Sequence, residues 1–219
     1  MPLSRRSLLI ASVATATPPL LARAQPAARA PQELKDFTVL KTPVPVESGA
    51  KIEVLEFFQY SCPHCATFEP YLAAWKKKLP SDVDYRRIPI AWDNSTMPHV
   101  RIYYTLEALG KLPEMHDKVF AAIQKNRQPM LNPDAIADFM AANGIDRKQW
   151  LDTYNSFSVA ARANRAGQIW RAYKVDGTPI MAVDGRFMTA PSMVGTREGS
   201  LGVLDHLIQR ARAERQGKK

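Results

Sequence analysis

At 219 residues the chain has the size of one domain, or of one domain carrying an insertion. With 46% hydrophobic and 23% charged residues it is neither disordered nor fibrous, and two cysteines are too few for a disulfide-stapled scaffold or a four-thiolate zinc site. The formal charge of +9 invites a nucleic-acid partner, but much of that charge sits at the two ends of the chain.

Residues 1–24 carry Arg5, Arg6 and Arg23 and no acid; the first acidic residue is Glu33. Arg5 and Arg6 precede an apolar run from Leu8 to Leu21, broken by Thr15, Thr17, Pro18 and Pro19, and Ala22-Arg23-Ala24 supplies a small-x-small cleavage pattern. This is the order of a secretory signal peptide, and the run is too broken for the roughly 20 apolar residues that cross a bilayer. Ser4-Arg5-Arg6-Ser7-Leu8-Leu9 also resembles a twin-arginine export motif, with a plain Sec signal as the slightly favoured alternative. Cleavage after Ala24 removes three arginines. The cluster Arg210, Arg212, Arg215, Lys218 and Lys219 reads as a solvated helix end, so no nucleic-acid partner is expected.

Residues 25–36, rich in Ala, Pro and Gln, read as a flexible lead-in. Thr38–Leu40 fits a short edge strand stopped by Pro43 and Pro45. Ile52–Tyr60 is β-branched and aromatic and apolar on both parities, as a central strand buried on both faces would be. A helix is predicted from Pro63 to about Leu79, ended by Pro80, and the next strand over Val83–Ile90. From Thr96 to Tyr173 the pattern is helical, with Met115, Val119, Phe120 and Ile123 on one face. Asn132-Pro133 opens one helix and Asn143-Gly144 closes it; Asp146 and Ser158 are predicted caps for the next two. The last of these should turn Ala163, Ala166, Ile169, Trp170 and Tyr173 inward. Strands return at Ile180–Val183 and Arg186–Met188 around an Asp184-Gly185 turn, and Leu201, Leu204, Leu207, Ile208 and Ala211 mark a terminal amphipathic helix.

The expected class is therefore α/β: one mixed sheet built discontinuously from residues 37–95 and 174–219, with an all-helical insertion at 96–173.

Both cysteines lie in Ser61-Cys62-Pro63-His64-Cys65, at the start of the first helix. That spacing lets two sulfurs close a small ring that opens and shuts without moving the fold. Pro63 suits the first helical turn, where its missing N–H would have had no partner. Cys62 then lies near the N-cap, facing orphan backbone donors and the positive end of the helix dipole, which favour thiolate. Cys65 should be less exposed. A His64 imidazole beside Cys62 would stabilise the thiolate further, and a stable dithiol makes an oxidising disulfide. The plainer alternative, His64 as a surface residue of a structural disulfide, fits poorly, because so short a loop removes little chain entropy. Haem attachment would need His where Ala66 stands, and zinc would need partners from His64, His99, His116 and His206, which lack finger-like spacing. The latter three are expected to be surface or helix residues.

Val54-Leu55-Glu56-Phe57-Phe58, then Cys62-Pro63-His64-Cys65, then Gly177-Thr178-Pro179 ahead of a strand, resemble the DsbA family, the periplasmic thiol:disulfide interchange proteins of Gram-negative bacteria. The resemblance runs over essentially the whole mature chain. It implies a thioredoxin fold with an inserted helical domain, a strongly acidic thiol, and no cofactor beyond the disulfide. Cys62 takes the place of the sulfur attacked in mixed disulfides and Cys65 that of the resolving thiol. Pro179 matches the family's cis-proline, with Thr178, where some relatives carry Val, offering backbone to an extended substrate peptide. Glu56 shares a strand face with Val54 and Phe58. It reads either as a buried proton acceptor for Cys65 or as a carboxylate paired with a neighbouring lysine, and the family's acid at that place favours the first.

The resulting expectation is a periplasmic oxidase that donates the Cys62–Cys65 bond to reduced secreted proteins and is reoxidised by a quinone-linked, DsbB-like membrane partner docking in a groove near the site. A reductase or isomerase is the same-chemistry alternative. An isomerase holds misfolded substrates through a dimer, and no dimerisation segment precedes the predicted fold, so a monomer is expected. Alternatives from other classes are a metal carrier using the two thiols as soft ligands and a chaperone-like binder acting through the helical insertion.

Overall fold

The architecture grows outward from β2 (Ile52–Phe58), whose seven residues are all buried. In the computed structural model, which describes residues 29–217, β2 runs parallel to β3 (Val83–Pro89), with Ile52 opposite Val83 and Glu56 opposite Arg87. The predicted signal peptide, the first part of the lead-in and Lys218–Lys219 lie outside the described residues. A parallel pair needs a crossover, here helix α1 (Pro63–Lys76). On its other side β2 pairs antiparallel with β4 (Ile180–Val183), β4 with β5 (Phe187–Thr189), and β5 with β1 (Thr38–Val39). The sheet order is β1-β5-β4-β2-β3, with β3 on an edge.

Between β3 and β4 the chain makes one 3₁₀ turn (Asn94–Thr96) and five helices: α2 (Met97–Ala108), α3 (Leu112–Gln124), α4 (Pro133–Ala142), α5 (Arg147–Tyr154) and α6 (Phe157–Ala172). After β5 come α7 (Pro191–Val194) and the long α8 (Arg197–Gln216). Local chemistry sets several boundaries. The Asn132 side chain accepts from the Asp134 and Ala135 N–H groups with Pro133 following, and the Asp146 carboxylate caps the Gln149 N–H. One apolar cluster gathers Val54, Phe68, Leu72, Val183, Leu204 and Leu207 beneath α1 and α8. The other joins Leu55 and Phe57 to Ile102, Leu106, Trp150 and Tyr173 of the helices. Each such fully buried side chain contributes about 1.5–3 kcal/mol.

Several expectations shift. Helix α1 stops at Lys76, because the Lys78 and Leu79 N–H groups turn back to the carbonyls of Trp75 and Lys76 ahead of Pro80. Helix α6 is capped by Ser156 on the Val159 N–H, not by Ser158, and Ile169 and Trp170 are only half-buried, with Trp170 edge-on to Trp92 at 5.2 Å. Strand β5 begins at Phe187, after a turn in which Asp184 and Gly185 both take positive φ. Gly185 is required there, since a Cβ would lie 2.0 Å from the Val44 carbonyl oxygen. The end of the lead-in is ordered against the fold: Asp36 is buried and its carboxylate accepts from the Gln32 N–H. The C-terminal arginines are ion-paired, Arg210 with Glu214, Arg212 with Asp82 and Arg215 with Asp184. His99, His116 and His206, expected to be surface or helix residues, all lie on helices; His99 and His116 are buried at 5% exposure, while His206 is exposed.

Candidate active site

Strand β2 ends at Phe58, and the turn Gln59–Ser61 lifts the chain into α1, where the Cys62 N–H bonds the Gln59 carbonyl at 3.1 Å. Cys62 is the N-cap: its backbone is extended (φ −86, ψ 114) and its sulfur accepts the Cys65 N–H at 3.4 Å. Pro63 occupies the first helical turn, giving up a donor that had no partner there. From the far end of the chain, the Thr178-Pro179 peptide, which is cis, brings the Thr178 carbonyl oxygen 3.3 Å from the Cys62 sulfur. Both cysteines are free thiols, Cys62 half-exposed and Cys65 fully buried.

Their environments drive the two thiols apart. A hydrogen bond from the Cys65 thiol, another from the Thr178 side chain, and the N–H groups of Cys65 and His64 bring the Cys62 thiol down to about 5 against the opposing effect of burial. Burial first, and then the neighbouring Cys62, push the Cys65 thiol far above its ordinary value. At neutral pH the pair is one nucleophilic thiolate and one protonated thiol. His64 reaches this balance through its main-chain N–H; its side chain is exposed. It lines an open groove of about 380 Å³ with Asp176, Thr178, Ile180, Pro191 and Arg197.

Glu56 lies beneath, with none of its surface exposed. Its partner is an arginine, not the lysine weighed above: Oε2 accepts from Arg87 Nε at 2.9 Å and from the Tyr85 hydroxyl in a short bond. Oε1 has no hydrogen-bond partner. Burial, and then the nearby Glu69 carboxylate, raise the Glu56 pKa against the pull of Arg87 and the Tyr85 hydroxyl. Glu56 in turn adds to the rise of the Cys65 thiol. Tyr85, Arg87, Glu69, Tyr60 and His116 complete this buried polar region, and residue-by-residue reading of the sequence had singled out none of them for the site. A signal for His116 exists: it precedes Val119, Phe120 and Ile123 by three, four and seven residues, on the apolar stripe of α3. No group of three or more His, Cys, Asp or Glu among the described residues is arranged to hold a metal ion.

A mixed sheet of this order, carrying a dithiol at the N-terminus of the helix after its central strand, defines a thiol:disulfide oxidoreductase built on a thioredoxin-like domain. The profile of the DSBA-like thioredoxin domain family matches residues 53–197. The thiol:disulfide interchange protein DsbA of Burkholderia cepacia is 42% identical over 190 residues, 86% of this chain and 89% of that protein. DsbA of Bordetella bronchiseptica is 40% identical over 205 residues, 93% of this chain and 96% of that protein. The crystal structure of Pseudomonas aeruginosa DsbA matches with a TM-score of 0.80 at 38% identity, over 83% of this chain and 95% of that one. The chain belongs to the DsbA family.

Proposed function

We propose that this oxidoreductase works as a periplasmic oxidase, exported by its N-terminal signal, that introduces disulfides into secreted proteins through Cys62 and Cys65. A substrate thiolate attacks the Cys62 sulfur of the oxidised enzyme. The Cys62–Cys65 bond breaks, and the Cys65 sulfur leaves and takes up a proton. The second substrate thiolate then attacks its own chain's sulfur in the mixed disulfide, forming the substrate disulfide and releasing Cys62 as thiolate. The substrate loses two electrons and the enzyme gains them. The observation that carries this direction is the divergence of the two thiols, with Cys62 near 5 and Cys65 held protonated. A thiolate that leaves easily makes the reduced enzyme the stable form.

Around this pair, Pro63 and the His64 N–H shape the N-terminus that receives the Cys62 charge, with the His64 imidazole at the groove rim. The Thr178 main chain and Pro179 receive an extended substrate segment beside the sulfur. Glu56 exchanges a proton with Cys65 through its free Oε1. The segments 37–95 and 174–219 act as the redox domain and the helices of 96–173 as an insertion that covers it. A quinone-linked, DsbB-like membrane oxidase restores the disulfide by docking a loop in the groove lined by His64, Ile180 and Pro191.

Equilibration with glutathione, read by thiol trapping, tests the direction. A potential well above that of thioredoxin, about −270 mV, is expected. A value at or below it would make the protein a reductase.

A further inference from the structure

The buried polar side chains behind Cys65 continue past Glu56. Arg87, its side chain 10% exposed, stands between two carboxylates, giving Nε to Glu56 at 2.9 Å and Nη2 to Glu69 at 2.5 Å. The other Glu69 oxygen lies 3.1 Å from His116 Nε2, and His116 Nδ1 lies 2.8 Å from the Tyr60 hydroxyl. The path thus leaves β2 at Glu56, crosses β3 and α1, reaches α3 at His116 and returns to Tyr60, two residues before Cys62.

One guanidinium serves two carboxylates, so what one loses of it the other gains. Burial keeps the His116 imidazole neutral, its pKa pushed down to about 3 by desolvation and then by Arg87. A neutral imidazole has one donor and one acceptor. With Glu69 ionised, Nε2–H donates to it and Nδ1 accepts from the Tyr60 hydroxyl. With Glu69 protonated, the carboxyl O–H donates to Nε2 and Nδ1–H donates to the Tyr60 oxygen. Only the first arrangement gives the buried Tyr60 O–H an acceptor, so His116 and Tyr60 together favour ionised Glu69 and keep it against Arg87. An apolar residue at 116 would take a charge-assisted bond from ionised Glu69 and leave Arg87 to neutralise Glu56 alone.

Other charged and titratable groups also face this pair. Glu56 meets Tyr85 and Arg87 from β3, Cys65, Glu69 and Lys76 from α1, Tyr103 from α2 and His116 from α3. Glu69 meets Arg87, Lys76, Asp117, Tyr60 and His116. Lys76 stands over the Tyr85 ring at 4.5 Å and makes no ion pair with either carboxylate.

We propose that His116, oriented by Tyr60, is a positioning residue for disulfide exchange: by holding Glu69 it keeps Arg87 divided between two carboxylates and leaves Glu56 basic enough to take the Cys65 proton. The inference rests on the proposed role of Glu56. In the step concerned, the Cys65 S–H proton passes to Glu56 as the Cys65 sulfur attacks Cys62 in a mixed disulfide. The Cys62–partner S–S bond breaks and the partner leaves as thiolate.

Reduced enzyme mixed rapidly with oxidised glutathione and quenched in acid gives, by mass, the decay of the Cys62–glutathione mixed disulfide as a function of pH. In His116→Leu the pH midpoint of that decay is expected to fall by about one unit and its plateau to slow several-fold, because a weaker base takes the proton. Tyr60→Phe, which removes only a hydroxyl and keeps the ring in its packing, is expected to shift the midpoint the same way by less. His116→Gln, whose amide N–H can still donate to Glu69, should return it toward the parent value. The Cys62 thiolate titration should stay in place throughout. Unchanged midpoints in His116→Leu and Tyr60→Phe would overturn the inference, reducing His116 to a packing residue; if His116→Leu does not fold, Tyr60→Phe decides. Glu56→Gln separates the two levels. If it flattens the profile while the His116 and Tyr60 variants leave it intact, only this inference falls; if it keeps the parent profile, the role of Glu56 falls and this inference with it.

Discussion

Strand β2 buries two glutamates three residues apart, on opposite faces, each with an arginine from β3. Glu53 is tied at every turn: it accepts from the Glu47 N–H at 3.0 Å, from Arg86 in a short bond, and from the Tyr173 hydroxyl at 3.5 Å. Its arginine is one-third exposed and shared with Glu47 at the surface. Glu56 has an unpaired oxygen, and its arginine, with a side chain 10% exposed, is divided with a second carboxylate. One residue type on one strand is thus fully tied on one face and keeps an unpaired oxygen on the other. The difference is whether both carboxylate oxygens find a donor, and whether the shared arginine reaches solvent or is almost wholly enclosed.

The strongest way to break the comparison is to remove each arginine. Arg87→Met strands two buried carboxylates and is expected to cost about 3–5 kcal/mol in urea unfolding. Arg86→Met, which leaves Glu53 its other donors, should cost about 1 kcal/mol. Equal losses would erase the distinction. Next comes the reaction itself: Glu56→Gln should slow resolution of a Cys62 mixed disulfide by about 100-fold, whereas Glu53→Gln should leave that rate unchanged.

Titration sharpens the contrast. Because burial raises the Glu56 pKa in the folded protein, its carboxylate is tolerated best when protonated. The stability it contributes is complete below its ordinary value and is lost as pH rises through the raised one. Relative to Glu56→Gln, the parent protein should therefore lose stability as pH rises from about 4.5. The sign is opposite at Cys62: its lowered pKa favours the folded dithiol above its ordinary thiol value, an advantage lost as pH falls through about 5. The smallest effect belongs to Thr178→Val, which removes a side-chain donor to Cys62. It should raise the Cys62 pKa by a fraction of a unit, measured by thiolate absorbance, and make the disulfide slightly less oxidising.

What the sequence made legible was local or periodic. An apolar run such as Ile52–Phe58 has few places to go but the centre of a sheet, and two cysteines around a proline mark a helix start wherever it packs. The Asn132-Pro133 cap and the Asp184-Gly185 turn are read the same way. Family resemblance brought Thr178 and Pro179, which no local rule joins to Cys62. The rest needed three dimensions. His99 and His116 were read by residue type, although each lies on the buried stripe of its helix, with Ile102, Tyr103 and Leu106 or with Val119, Phe120 and Ile123. Nothing local tells which of the adjacent Arg86 and Arg87 faces Glu56 and Glu69 beneath the sheet edge.

One group that makes the two thiols unequal comes from far along the chain: Thr178 reaches Cys62 across 116 residues. Contacts that close such long loops form late in folding. Until β4 has docked beside β2, the chain therefore carries two cysteines without their full difference in acidity. Full chemical competence arrives only when β4 docks, so a chain still folding is less able to react through a half-built site with its neighbours or with itself.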